Sequence, residues 1–334
     1  MNPKQAILIF LFSCFQFVGI AQDVHWSQFD ENPLYLNPGN AGKFEGDYRF
    51  VGNYRDQWRS VTIPFQTTAL SVEKNFGGPN KRTLGFQVFN DVVGDGNFRT
   101  NEFLLTGATS KYAFDSLLEV RPAVTIGINT RRFDPTQFYF DNQFNGIGFD
   151  PSLPSGEIIN SASSTNFTVA AGFSFDYTLP NDQKISGGIA LFNLNRPNQS
   201  FYLEEQRRDR RLAFNANYTF QIDKRLQIIP SAQLQLQGKY REIVYGGFAR
   251  YFLENRMGNY KALRGGLWFR QGDALFLTVG IDYQDLFFGI SYDINVSKLI
   301  PASGGRGGIE FAIRYILRTF KTQSNRKRIC PDFI

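Results

Sequence analysis

Apolar and polar residues alternate at period two along nearly the whole chain, the pattern of strands that present one face to each of two environments. The clearest run sets Phe167, Val169, Ala171, Phe173, Phe175 and Tyr177 against Thr168, Ala170, Gly172, Ser174, Asp176 and Thr178. One face suits lipid; the other is small and polar. Tyr48, Phe50, Gly52 and Tyr54 oppose Arg49, Asn53 and Arg55 in the same way. Leu226, Ile228, Leu234 and Leu236 oppose Gln227, Ser231, Gln233 and Gln235, and Ile309, Phe311, Ile313, Tyr315 and Leu317 oppose Glu310, Arg314 and Arg318. Marking every run predicts strands at 46–58, 65–76, 83–92, 101–113, 117–131, 166–179 and 183–194. The second half adds 210–222, 224–238, 241–253, 261–270, 273–283, 285–296 and 307–319.

Several of these runs reach about ten residues, the length of a tilted membrane strand rather than the roughly five or six of a soluble one. The expected fold is all-β: a transmembrane antiparallel β-barrel of about fourteen strands around a wet, polar lumen. A β-sandwich, a propeller or two packed barrels would also alternate, but strand length and aromatic content favour the membrane. Short turns at Asp115-Ser116, Asn181-Asp182, Asp223 and Gln284 follow even strands, whereas the two longest connections, 132–165 and 195–209, follow odd ones. The long loops therefore share one end. An even count places both termini at the other end, expected to be periplasmic. Pro122 and Pro230 fall inside predicted strands; each removes a ladder donor, and a bulge is expected to absorb it.

The first residues add an export step. Lys4 supplies a positive start, residues 6–20 an apolar stretch, and Gly19 and Ala21 the small residues before a cleavage site, so the mature chain is expected to begin at Gln22. Lipidation at Cys14 would leave residues 15–21 as an apolar leader, and is rejected. Loss of Cys14 leaves Cys330 alone, without an intramolecular disulfide partner. The expected division is a signal peptide at 1–21, a periplasmic pre-barrel segment at 22–45, an outer-membrane barrel at 46–320 and a basic periplasmic tail at 321–334.

Composition narrows the function. Charged residues are 20% of the chain and aromatic residues 16%, too polar for a multi-span helical membrane protein but suited to strands with aromatic girdles. His25 is the only histidine, so neither a serine–histidine pair in a barrel wall nor a multi-histidine zinc site is expected. The glycine-rich stretch 303–308 lacks the spacing of a phosphate loop and reads as a hairpin. Residues 91–97 lack the ligand order of a calcium loop and read as a turn. No enzyme and no cofactor are expected. The net charge of +6 owes much to Arg318, Lys321, Arg326, Lys327 and Arg328. That tail suits either anionic outer-membrane lipid or a periplasmic protein; nucleic acid is not an expected partner of an exported chain.

Beside this reading stands a resemblance. Asp23-Val24-His25-Trp26-Ser27-Gln28-Phe29, then residues 32–42 (Asn-Pro-Leu-Tyr-Leu-Asn-Pro-Gly-Asn-Ala-Gly), resemble the opening of PorP/SprF-type proteins, outer-membrane components of the Bacteroidota type IX secretion and gliding machinery. Tyr54-Arg55-Asp56-Gln57-Trp58, Pro64-Phe65-Gln66-Thr67, Asn193-Leu194-Asn195-Arg196-Pro197, Ser291-Tyr292-Asp293 and the closing Cys330-Pro331 continue the likeness. Asn40 and Val72-Glu73 depart from it. The resemblance implies a non-catalytic barrel that helps export or attach particular cargo proteins or adhesins, with loops 132–165 and 195–209 facing them. It also implies periplasmic partners, a ring lipoprotein or a peptidoglycan-associated protein, met by Asn32, Pro33, Tyr35, Asn37 and Pro38 and by Arg326, Lys327, Arg328, Cys330 and Pro331. The alternative is a passive porin for small solutes, its pore lined by Arg49, Arg55, Glu310 and Arg314.

Overall fold

Fourteen antiparallel strands pair in chain order and close on themselves in the computed structural model, which describes residues 23–319 apart from 60–62, 78–80, 95, 158–160, 181–182, 203–204, 257–258 and 298–299. They are β1 (Tyr48–Gln57), β2 (Phe65–Phe76), β3 (Arg82–Val93), β4 (Phe98–Thr109, continued by Lys111–Ala113), β5 (Leu118–Arg132), β6 (Ser163–Thr178) and β7 (Lys184–Phe192). The second half holds β8 (Arg211–Gln221), β9 (Leu226–Gln237), β10 (Tyr240–Arg256), β11 (Asn259–Arg270), β12 (Ala274–Tyr283), β13 (Leu286–Asn295) and β14 (Arg306–Leu317). The seam joins β1 to β14, with Tyr48 opposite Leu317 and Gln57 opposite Gly308. No sheet edge is left to hydrocarbon, the condition a spanning sheet must meet.

The predicted facing holds. Phe167 and Phe173 point outward while Thr168, Ala170, Ser174 and Asp176 are buried on the inner side of β6. The expected bulges at the prolines do not form. On the β8 side of β9 the rungs run from Ile228 opposite Phe220 to Ser231 opposite Asn217, skipping Ile229 and Pro230 without a change of register. Pro122 acts alike: pairing of β4 with β5 stops at Ala108 opposite Ala123 and resumes at Lys111 opposite Val120. A missing N–H costs a local rung, and full pairing on the other flank, Pro122 opposite Phe173 and Pro230 opposite Gly247, holds the register.

The long connections, 133–162 and 193–210, lie at one end, called here the loop end. The start of β1 and the end of β14 lie at the other, the turn end. The chain ahead of β1 is not a segment standing outside the barrel. It is folded into the lumen, and that corrects both the expected pre-barrel segment at 22–45 and the expected wet interior. Trp26, Phe29, Tyr35 and Leu36 of this segment form one buried apolar cluster with Ala69, Phe89, Val244, Trp268 and Phe276 of the wall. The core of the molecule therefore lies inside the barrel.

Candidate functional site

Residues 23–46 run the length of the lumen from the loop end to the turn end, in three short helical turns, Phe29–Glu31, Pro33–Leu36 and Pro38–Asn40. Proline sets the backbone at the first position of the last two, and the Asn37 side chain accepts from the Gly39 N–H. None of the three is long enough to be stable alone; wall contacts supply what they lack.

At the loop end the Asp23 N–H donates to Gln237 (2.9 Å), and its carboxylate pairs with Arg208 (2.7 Å) and Arg211 (3.5 Å). The next contacts lie at the seam. The N–H groups of Ser27 and Gln28 donate to the two oxygens of Glu310 (2.7 and 2.8 Å), and the Ser27 hydroxyl donates to Asp293 (2.6 Å). Arg55 bridges the same two carboxylates at 2.7 and 2.9 Å. Glu31 then takes Arg264 on one oxygen (2.7 Å) and Arg314 on the other (2.6 Å).

Across the barrel, Tyr35 stacks on Phe89 with ring centroids 5.6 Å apart and lies under the Arg211 guanidinium at 4.5 Å. Asn37 donates to the Phe173 carbonyl (3.1 Å), and Ser174 donates to the Gly39 carbonyl (2.6 Å). The backbone lies so close here that a Cβ on Gly39 would stand 2.6 Å from the Ser174 nitrogen; only glycine fits. Toward the turn end Arg49 donates to the Asn40 carbonyl (3.1 Å) and pairs with Glu73, which also accepts from the Gly42 N–H (2.9 Å), and Lys43 pairs with Asp176 (2.6 Å). Asn40 and Glu73 are thus both engaged in seating the segment.

The structure places Asn32, Pro33, Tyr35, Asn37 and Pro38 together, but buried in the lumen against the wall rather than exposed to a periplasmic partner. The contacts are to the lumen side: Gln87 donates to the Asn32 side-chain oxygen (3.0 Å), Asn37 donates to the wall at the Phe173 carbonyl, and Tyr35 donates to the Val24 carbonyl (2.6 Å). Arg326, Lys327, Arg328, Cys330 and Pro331 lie outside the described residues. Arg49, Arg55, Glu310 and Arg314, expected as pore lining, do face inward, where they form the sockets of the segment. Sequence reasoning missed Asp23, Ser27, Gln28 and Glu31. A usable signal was present in Leu267-Trp268-Phe269 and Leu275-Phe276-Leu277, where the alternation fails because the lumen side is apolar too.

The sequence pattern of the type IX secretion system membrane protein PorP/SprF matches residues 18–315. The chain belongs to the PorP/SprF family. Membership makes it a membrane protein of that secretion system, and its barrel places it in the outer membrane. No curated protein matches this PorP/SprF chain. Among solved structures it is similar to the CymD monoaromatic hydrocarbon channel, with a TM-score of 0.54 and 11% identity over 87% of this chain and 93% of that one. The Ralstonia pickettii toluene transporter TbuX gives 0.53 and 10% identity over 87% and 94%. At such identities the likeness is one of fold.

Proposed function

We propose that this PorP/SprF protein is a non-catalytic anchor: a barrel sealed by its own N-terminal segment, which helps export or hold particular secreted proteins at the cell surface. The filled lumen carries this reading. A passive porin needs a clear path, whereas Arg49, Arg55, Glu310 and Arg314 are all spent on holding residues 27–43. Cargo then meets the loop end. The two long loops support such a role, because they brace one another through Phe133 and Phe201 (4.8 Å between rings) and expose Tyr139, Phe144 and Ile147, the last at 95%. An exposed apolar tip on a braced loop suits a protein partner. The turn end and the basic tail face the periplasmic ring.

The test is deletion of residues 322–334 in a native host, with barrel level, cargo release and co-purifying partners measured. A normal barrel with lost partners and misplaced cargo is expected. Normal cargo handling with all partners retained would remove the tail from the docking role.

A further inference from the structure

A cavity of about 450 Å³ opens at the loop end above the seated segment, within the range of about 300–1,000 Å³ typical of small-ligand sites. Its floor is Asp23, Val24, His25 and Tyr35, and its sides carry Trp58, Phe65, Phe89 and Phe98. Trp58 stacks on Phe65 with centroids 6.0 Å apart. The lining thus sets these rings among charged side chains, Asp23, Asp91, Glu102, Arg131 and Arg208.

Two of those charges, Asp91 and Arg131, stand outside ion-pair distance of any opposite charge among the described residues. Asp91 is buried, and its carboxylate accepts from the Thr67 hydroxyl (2.7 Å); among the described residues no cation stands within ion-pair distance of it. Arg131 is half-buried, donates to the neutral Gln199 (2.6 Å) and lies over the Phe98 ring at 4.7 Å; no carboxylate among the described residues pairs with it. Nearby Arg208, by contrast, is matched by Asp23 and Glu102 (2.7 Å each). Buried charges are ordinarily paired, so one of each sign without a close counter-charge on the wall of one cavity suits a ligand that carries both.

The sheet fixes their spacing. Asp91 stands opposite Thr100 across β3 and β4, and Thr100 opposite Arg131 across β4 and β5, so one row carries all three. Two strand spacings put the backbones of Asp91 and Arg131 roughly 10 Å apart. An extended two-residue peptide, about 7 Å long, is short enough to lie between side chains rooted that far apart.

We propose that this cavity binds a short apolar peptide with both end charges intact, its ammonium on Asp91, its carboxylate on Arg131 and its side chains among the aromatic walls. The site is independent of the anchoring role and leaves the seated segment in place as its floor. The probe is the dipeptide Phe-Leu, titrated calorimetrically into the detergent-purified full chain beside its N-acetyl form, its C-terminal amide and toluene. Saturable binding of Phe-Leu is expected, with each blocked form at least about tenfold weaker, as loss of a charge-assisted contact requires. Asp91→Asn should erase the preference over the acetylated form only, and Arg131→Gln the preference over the amide only. The chemical arms on the unaltered chain stand even if a variant fails to assemble. Equal binding of charged and blocked forms, toluene binding as tightly as Phe-Leu, or no saturation up to about 10 mM would overturn the proposal.

Discussion

Arg55 and Glu310 stand directly opposite each other on β1 and β14, the strands whose pairing closes the barrel, and their side chains form a 2.9 Å ion pair with no solvent exposure. The same carboxylate accepts the N–H groups of Ser27 and Gln28, so one residue ties the seam to the segment in the lumen. Glu310→Ala would leave Arg55 with Asp293 and the Ser27 hydroxyl as its partners among the described residues, and two buried amides without their acceptor. Removing one partner of a buried pair costs about 3–5 kcal/mol. The expected outcome is a folded barrel whose heat-induced gel shift comes at lower temperature and whose N-terminal segment becomes accessible to protease. Glu310→Gln, which retains acceptor oxygen, should fall between the two.

Glu31 offers a cleaner separation of segment from wall, because it holds Arg264 and Arg314 but takes no part in the ladder. Both arginines retain Asp282 as a second partner, at 2.6 and 3.2 Å. Glu31→Ala should therefore loosen the segment while leaving the wall intact. Limited proteolysis would show cutting near residue 31 with an unchanged heat-modifiable gel shift. A lowered shift temperature without new cleavage would mean that Glu31 supports the wall itself.

A charge on β6 should have opposite consequences at adjacent positions. Phe173→Arg puts a cation on the lipid face, at a cost of about 2–4 kcal/mol near the midplane, and should deplete assembled barrel. Ser174→Arg points inward, where Ser174 has no solvent exposure and touches Gly39, so it should assemble but unseat the segment. Gel mobility and protease accessibility distinguish the two failures. Failure of the same kind at both would refute the facing of this strand.

The wall was legible in the sequence because its determinants are local: alternation is carried by neighbours two residues apart, and a strand such as Phe65–Phe76 is marked out by its own residues. The prolines were legible as interruptions, though not as rungs lost in an unbroken register, since that depends on the partner strand. The seated segment was not legible. Residues 23–45 carry neither period two nor a helical period, and what fixes them are contacts spanning hundreds of residues, from Ser27 to Glu310 and from Glu31 to Arg314. A buried polar side chain such as Asn37 reads as an exposed turn former until the wall that satisfies it is seen. The site was therefore half legible: Arg49, Arg55, Glu310 and Arg314 were recognised as lumen residues, but as the lining of a pore in the porin alternative.

Conductance across a planar bilayer tests the filled lumen most directly. The intact chain, reconstituted alone, should give brief, small events or none. A chain lacking residues 23–42 keeps every wall hydrogen bond and should give long openings of large, steady conductance. Large constitutive conductance from the intact chain, equal to that of the shortened one, would contradict a lumen closed by its own N-terminal segment and restore the passive porin.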